Sequence, residues 1–189
     1  MPPKVRITRE EIIDKALQLV RESGADAVNA RGVAVALGSS TQPIFSNFSS
    51  MEELESAVIE LAYSRYLGFI KREVESDRYP KYKAFGMAYL RFAKEEKELF
   101  KLLFMRDRGD EELVESLDFQ ESVEIIMRTN GVSREAARLM HLEMWACVHG
   151  IATMLVTSFL PLEWELISEM VSDVYQGIRV RQLEKESSQ

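Results

Sequence analysis

The sequence is poor in the residues and motifs from which most active sites are built. One cysteine excludes an intramolecular disulfide, and together with only two histidines it argues against a cysteine-based metal site. The sequence contains no glycine-rich phosphate loop, no HExxH and no GxSxG motif. Cys147 stands two residues before His149, so on a helix the two side chains would point to different faces. We therefore expect no catalytic residues, no metal site and no cofactor.

Long apolar runs are also missing. The N-terminal stretch MPPKVRITREE has no apolar run of the kind found in signal peptides. No uninterrupted apolar stretch reaches the length of a transmembrane helix. The longest, MWACVHGIATMLVTSFL, contains a histidine and several small polar residues, and we interpret it as a buried helix. These features predict a cytoplasmic protein that has no membrane partner.

Signals for β-strands are absent as well, and helical signals fill the chain. No segment alternates apolar and polar residues over a sustained run, and no Asn-Gly or Asp-Gly pair joins two apolar runs. Thr8-Arg9-Glu10-Glu11 is a capping box, and Gly24 ends the helix that follows. Apolar periodicity predicts eight further helices, at about 29–37, 41–48, 50–76, 81–94, 98–105, 110–129, 133–159 and 161–182. We expect an all-α fold of about nine helices, in which Ser133 caps the eighth and Pro161 opens the last.

Two short helices around Gly38 form a helix-turn-helix layout. Gly38 ends the first because a residue without a Cβ atom adopts the left-handed turn at little steric cost. Ser40 is predicted to cap the second, which places Pro43 at the third helical position, where its missing N–H has no intrahelical partner. Ile44 and Phe48 are four residues apart and are expected to face inward together. A second capping box, 50–53, opens the helix that follows.

This stretch resembles the TetR family of bacterial one-component regulators. The family pattern is roughly R-x-[IV]-A-x-x-x-G-[VL]-S-x-x-x-[LI]-[YF]-x-x-F-x-[SND]-K-x-x-L. The matching residues are Arg31, Val33, Ala34, Gly38, Ser40, Ile44, Phe45, Phe48, Ser50 and Leu54. Two positions depart from it: Ser39 replaces an aliphatic turn residue, and Met51 stands where the family usually has a lysine that contacts phosphate. The resemblance implies a three-helix DNA-binding domain at 1–50 and a ligand-binding and dimerisation bundle at 51–189.

The predicted recognition helix has side chains suited to base edges. Gln42 suits bidentate bonds to adenine, and Thr41 and Pro43 suit contact with the thymine methyl group. The resemblance places Phe45 and Asn47 on the flank, against the DNA backbone; Phe45 lacks a hydroxyl and would pack against sugar. The expected DNA-binding residues are Lys4, Arg6, Arg31, Ser40, Thr41, Gln42, Pro43, Phe45 and Asn47. The alternative is that these are ordinary surface residues of a helical hairpin.

Charge is distributed unevenly along the chain. The net charge is −7, but residues 1–50 hold six basic and five acidic residues, so the acidic excess lies in the remainder. Lys4, Arg6 and Arg9 lie before or at the start of the first helix, like a short basic arm. No basic residue lies between Arg31 and Arg65. We therefore expect phosphate contacts to come from hydroxyls, amides, helix N–H groups and the arm, with a shallow salt dependence.

The C-terminal part contains the motif Trp145-Ala-Cys-Val-His149-Gly150. It resembles a W-x-x-[VL]-H-G motif in the ligand-binding domain of one TetR subgroup. His141, Trp145 and His149 recur every four residues and share a helix face. Because methionine adapts to irregular apolar pockets, the Met-rich body favours an apolar effector. The expected ligand-binding residues are Phe92, Phe104, Met105, Met140, Met144, Trp145 and His149. The alternative is core packing, with His149 a satisfied core histidine.

The last two helices, about 133–159 and 161–182, are the usual dimer surface of the family. Small residues on the first (Gly150, Ala152, Thr153, Thr157) and Met170, Val174, Gly177 and Ile178 on the second are candidates to face a second copy. The alternative is that these residues only close the core of one chain. In the dimer, two recognition helices would enter successive major grooves about 34 Å apart on a pseudo-palindromic operator.

The resemblance thus predicts a homodimeric repressor that binds double-stranded DNA. A small apolar effector would shift the protein toward a spacing of the recognition helices that no longer fits the operator, with the helix at about 50–76 transmitting the change. The alternative is a small-molecule-binding dimeric protein with weak or degenerate DNA binding, as Met51 and the lack of basic residues at 32–64 suggest.

Overall fold

All the secondary structure that the structure describes is helical. The computed structural model describes residues 7–106 and 117–187, and within them it has nine α-helices, one short 3₁₀ turn (Ala25–Ala27) and no strand. The helices are α1 (Arg9–Ser23), α2 (Ala30–Ala36), α3 (Gln42–Asn47), α4 (Met51–Glu75), α5 (Lys81–Glu95), α6 (Lys97–Phe104), α7 (Leu117–Asn130), α8 (Arg134–Thr157) and α9 (Trp164–Ser187). The predicted all-α fold is confirmed.

Capping residues explain where several helices begin and end. Ser133 caps α8 as predicted, because its hydroxyl accepts the N–H of Ala136 at 3.2 Å. Gly131, with φ of +68°, follows the end of α7. The prediction that Pro161 opens the last helix is wrong: α9 begins at Trp164, and its first turn closes on the carbonyl of Glu163. The predicted start of α7 near residue 110 lies outside the described residues.

The described chain forms two compact units. The first unit contains residues 7–67 and 96–106, and the second contains residues 68–95 and 117–187. The boundary between these units differs from that of the predicted domains 1–50 and 51–189. α4 is one unbroken helix, and its residues up to 67 belong to the first unit. α6 also belongs to the first unit, where it packs against α1. The functional division at residue 50 stays a prediction.

The first unit is organised around α1. This helix begins with the predicted capping box, in which the Thr8 hydroxyl accepts the Glu11 N–H and the Glu11 carboxylate accepts the Thr8 N–H. Its buried face packs against α2, α3 and α6. The Arg21 guanidinium forms two hydrogen bonds to the Glu96 carboxylate, at 2.8 and 2.9 Å, which fixes the residue before α6 to the end of α1.

The second unit is organised around α8, which packs against α5, α7 and α9. One face of α8 is buried, and Met140 lies with Val123 and Ile126 of α7 in an apolar cluster. By length and composition alone, α8 is also apolar enough to cross a membrane, a test that core helices of soluble proteins pass too. Its opposite face keeps Leu139, Leu142 and Trp145 exposed, so the stretch predicted to be a buried helix, which begins at Met144, is buried on one side only.

Gly32 is required by a close approach between backbones. A Cβ atom added at this position would lie 2.4 Å from the carbonyl oxygen of Ala27, at the end of the 3₁₀ turn. The position is further fixed by Asn29, whose side-chain oxygen caps α2 by accepting the Gly32 N–H at 2.9 Å. Backbone atoms cannot rotate away as the end of a side chain can, so α2 and the turn would have to separate.

Replacing Gly32 by alanine should therefore lower the free energy of unfolding, by about 1–3 kcal/mol. The matched control is Gly68→Ala in α4, where an added Cβ meets nothing within 4 Å. That substitution should raise stability by up to about 1 kcal/mol, because alanine is the better helix former. Urea unfolding of both variants measures the two effects. If both substitutions raised the free energy of unfolding equally, the close contact between Gly32 and Ala27 would be contradicted.

Candidate functional sites

The turn between α2 and α3 is built on Gly38, as predicted. Gly38 has φ of +62°, a conformation that favours glycine. Its N–H donates to the carbonyl of Val35 at 3.0 Å, and the N–H of Ser39 donates to the carbonyl of Ala34 at 2.9 Å. This pair of bonds is a Schellman ending, which satisfies two carbonyls at the end of α2. These two backbone bonds set the direction in which the chain leaves α2.

The start of α3 differs from the prediction by one residue. Thr41, and not Ser40, is the N-cap, and its side chain makes no capping bond; its carbonyl accepts the N–H of Ile44 at 3.1 Å. α3 begins at Gln42, so Pro43 occupies the second helical position instead of the third. The first helical N–H groups all lack an intrahelical partner, so proline fits either position, and the pattern alone could not fix the start.

The predicted inward face of α3 is confirmed, since Ile44 and Phe48 are buried. The outward face consists of four exposed side chains: Thr41, Gln42, Phe45 and Ser46. Ser40 is exposed as well, whereas Pro43 is half-buried. Two polar side chains of α3 are already engaged within the unit: the Ser46 hydroxyl donates to the Gln42 carbonyl at 2.8 Å, and the Asn47 amide donates to the Pro43 carbonyl at 2.8 Å. DNA contact by Asn47 stays a prediction.

Arg9 ties the end of α3 to the start of α4. One guanidinium nitrogen donates to the Asn47 carbonyl at 2.7 Å and to the Glu53 carboxylate at 2.8 Å. The guanidinium also lies over the Phe48 ring, 4.1 Å from its centre. The sequence analysis assigned Arg9 to a basic arm. Its partners in the structure are 38 and 44 residues away along the chain, so no local pattern could indicate them. Lys4 and Arg6 of that arm lie outside the described residues.

Glu53 completes this connection. Its second carboxylate oxygen accepts both the N–H and the hydroxyl of Ser49 at 2.7 Å. The Ser50 hydroxyl accepts the Glu53 N–H at 3.3 Å, so the predicted capping box forms in part, with the return bond made to Ser49. The Ser49 N–H, the Ser49 hydroxyl and the Arg9 guanidinium, in that order, stabilise the charged form and lower the pKa of Glu53 to about 2.

Few charges surround α3. Arg31 is exposed in the first turn of α2, and residues 32–51 contain no charged side chain. Met51, the substitute for the family lysine, is half-buried at the start of α4. The outward face of α3 therefore offers hydroxyl, amide and aromatic groups.

In the second unit, the predicted pair Trp145 and His149 meets a tyrosine of α5. The Tyr89 hydroxyl and His149 Nδ1 are 2.8 Å apart, and the rings of Trp145 and His149 stack with centres 5.1 Å apart. Tyr89 is buried, whereas Trp145 is 38% exposed. The cluster thus combines an accessible aromatic face with an internal hydrogen bond. Tyr89 lies 60 residues before His149, so no local pattern in the sequence indicates it as the partner of His149.

A second pair of the same kind joins α5 to α8. The Tyr82 hydroxyl and His141 Nδ1 are 2.9 Å apart. The Phe119 ring meets His141 edge-on at 4.7 Å, and Tyr175 lies 5.6 Å from Tyr82. Burial raises the pKa of Tyr82, with a smaller contribution from Tyr175. His141 is thus enclosed by aromatic rings from α5 and α7.

The other predicted ligand-binding residues are divided between the two units. Met140, Met144 and Phe92 are buried in the second unit, where Phe92 meets Phe69 edge-on at 5.2 Å. Phe104 and Met105 belong to the first unit. Phe104 packs there against Tyr66 and Phe100, with ring centres 5.2 and 5.1 Å apart, and Met105 is exposed. The predicted residues thus belong to both units, and ligand binding by each stays a prediction.

Part of the chain matches a known protein family. Residues 82–173 match a family model described as "Tetracyclin repressor-like, C-terminal domain". This range runs from α5 into α9 and includes Trp145 and both tyrosine–histidine pairs. No curated protein matches the chain.

The Glu53 carboxyl should titrate near pH 2 in the folded protein, well below the ordinary glutamate pKa of about 4.3. Because its pKa is lowered on folding, its stabilising effect is present above about pH 4.3 and is lost as the pH falls toward 2. Carbon-13 NMR of the side chain measures the titration.

Two variants test the causes of the Glu53 shift. Arg9→Gln should raise the pKa only part of the way, because both Ser49 donors remain. Ser49→Ala removes the hydroxyl but keeps the N–H, and should also raise it in part. An ordinary glutamate titration in the unmodified protein would contradict this network.

Proposed function

Because the chain belongs to the TetR family of transcriptional regulators, we propose that it is a repressor which binds a pseudo-palindromic DNA operator as a homodimer and is released by a small apolar effector. The observation that carries this proposal is the outward face of α3, whose exposed side chains follow a glycine turn as in helix-turn-helix proteins. We place the protein in the cytoplasm, where its DNA would be.

The proposed DNA contacts divide into two kinds. Thr41, Gln42 and Phe45 are exposed on α3 and would meet base edges. Ser40, Arg31 and the arm residues Lys4 and Arg6 would contact phosphate and position the helix. Two copies of α3 in one dimer would enter major grooves about 34 Å apart.

The proposed dimer surface is formed by α8 and α9. Exposed apolar and small residues recur at helical spacing on both helices: Leu139, Leu142 and Ala146 on α8, followed by the half-buried Gly150, and Leu166, Val174, Gly177 and Val180 on α9. A Cβ atom added at Gly150 or Gly177 would meet nothing within 4 Å, so neither glycine serves packing within the chain. Both would allow the backbone of a second copy to come close. Ala152 is fully buried within the chain and does not contribute.

The proposed effector site includes Trp145, His149 and the neighbouring Tyr89. An apolar ligand would cover the exposed Trp145 ring, and a polar group on it would bond to the histidine or the tyrosine. α4 runs as a single helix from the first unit into the second, so we assign to it the transmission of the change.

One observation favours a second candidate function. The absence of basic residues from 32 to 64 removes the side chains that usually supply phosphate affinity. The second candidate is accordingly a dimeric small-molecule-binding protein whose DNA binding is weak.

Capture of genomic DNA fragments by the full-length protein separates the two functions. The repressor should enrich discrete fragments and bind each with two 21.7 kDa chains, as measured by sedimentation of the complex. Gln42→Ala should weaken binding to an enriched fragment by about 1–3 kcal/mol but leave binding to random DNA unchanged. The control is Gln120→Ala, an exposed glutamine of α7. A failure to enrich any fragment would favour the second candidate, and a single chain bound to a fragment would contradict the dimeric repressor.

The effector site should be detectable by tryptophan fluorescence. The test uses a Trp164→Phe background, since Trp164 is a second emitter and lies 4.5 Å from the Arg91 guanidinium. In a panel of uncharged phenols and naphthols, a compound that perturbs Trp145 emission should also release the enriched DNA fragment. His149→Ala should weaken its binding by about 1–3 kcal/mol through loss of a buried hydrogen bond.

DNA affinity without the compound should stay unchanged in His149→Ala. The matched control is His141→Ala, which removes the other histidine paired with a tyrosine of α5. It should lower the melting temperature and leave binding of the compound intact. If instead His149→Ala strongly lowers the melting temperature and leaves binding intact, the histidine is a core residue and the site lies elsewhere.

A further inference from the structure

Resting on the DNA binding proposed above, we infer that α3 reads two neighbouring A·T base pairs, with Gln42 bonded to an adenine and the Phe45 ring packed on the methyl group of a thymine. The operator half-site would thus be A·T at the positions that α3 contacts.

The hydrogen bonds of α3 decide which of its side chains are left for bases. The Ser46 hydroxyl donates to the Gln42 carbonyl and the Asn47 amide donates to the Pro43 carbonyl, so both polar groups are turned back onto the helix. Pro43 is half-buried, which limits its ring as a contact for bases. Gln42 and Phe45 remain exposed on α3, with Thr41 just before it, and among the described residues no hydrogen bond engages the Gln42 amide side chain.

The chemistry of this face suits adenine and thymine better than guanine or cytosine, although the hydroxyl of Thr41 can bond either kind of pair. Guanine is read chiefly by the paired donors of arginine or lysine, and cytosine by the acceptor oxygens of aspartate or glutamate. Residues 32–51 have none of these side chains. Arg31 lies on α2, the helix that crosses the DNA backbone in this motif. Glu53 is held by Ser49 and Arg9. An amide is the side chain that bonds adenine in a bidentate manner.

The exposure of Phe45 supports a methyl contact. Its ring is 53% exposed in the first unit, although a phenylalanine ordinarily gains free energy by burial. The ring has no hydroxyl to donate to phosphate, so its contribution on DNA is apolar contact. Within the major groove, the C5-methyl of thymine is the apolar group on offer.

The spacing of the two side chains fits adjacent base pairs. Gln42 and Phe45 are three residues apart and lie side by side on one helix face. Three residues advance about 4.5 Å along a helix axis, which is close to the step of about 3.4 Å between base pairs.

Selection from duplexes with a randomised centre, using the full-length protein, tests the base identities. The selected half-sites should share at least two adjacent A·T pairs. Invariant G·C pairs at the centre of each half-site would overturn the inference and leave the proposed DNA binding intact. If no sequence is enriched, the proposed function and the inference both fail.

Uracil in place of thymine tests the methyl contact within the selected duplex. Removing the methyl group that Phe45 covers should weaken binding about fourfold, as expected for one buried methyl group. In Phe45→Ala the two duplexes should bind equally. The matched control is Ser46→Ala, next to Phe45 on the same face, which should keep the fourfold difference. Two results would overturn the inference. The first is equal binding of the thymine and uracil duplexes by the unmodified protein, which would point to contact between Phe45 and sugar. The second is a difference between the duplexes that persists in Phe45→Ala.

Discussion

α3 has only six residues, and a helix this short is not stable alone in water. Its structure therefore depends on contacts with the rest of the first unit. Isolated helices shorter than about 12–15 residues are marginal even in favourable sequences. α3 is held by burial of Ile44 and Phe48 and by the Arg9 guanidinium, which bonds the carbonyl of its last residue. The Glu53 carboxylate joins the same guanidinium to the start of α4. α1 and α4 therefore set the position of α3, and its stability and the proposed DNA recognition would depend on the same few contacts.

These contacts also determine what α3 can present. Arg9 is a basic residue close to α3, but its charge is matched by Glu53 and its guanidinium lies on Phe48. Ser46 and Asn47 satisfy carbonyls of their own helix. The polar groups that stabilise the helix are thereby withdrawn from its outer face, which becomes small and uncharged. On DNA, a surface of this kind would offer hydrogen bonds and apolar contact, whereas ionic attraction adds affinity without sequence information.

Local features of this chain could be predicted from sequence, and features made by distant partners could not. The Gly38 turn, the Thr8 and Ser133 caps and the inward pair Ile44 and Phe48 depend on residues within a few positions of one another. Helix starts were less certain where several residues could serve, as at Thr41 and Trp164. The bond from Arg9 to Glu53, the packing of α6 on α1 and the contact between Tyr89 and His149 join residues 44 or more positions apart. Apolar periodicity indicates that a face is buried but not what covers it.

The two tyrosine–histidine bonds fix the register between α5 and α8 in the second unit. Apolar packing between helices is non-directional, so a smooth interface between α5 and α8 could slide. Tyr82 and Tyr89 are seven residues apart, and His141 and His149 are eight, which correspond to rises of about 10.5 and about 12 Å. Two directional bonds form together only if the helices run in the same direction and in this register. α5 then ends at Glu95, and the next residue, Glu96, is bonded to Arg21 of α1. Polar pairs thus fix the register of α5, and the chain passes from the end of α5, one residue later, into the unit that contains α3.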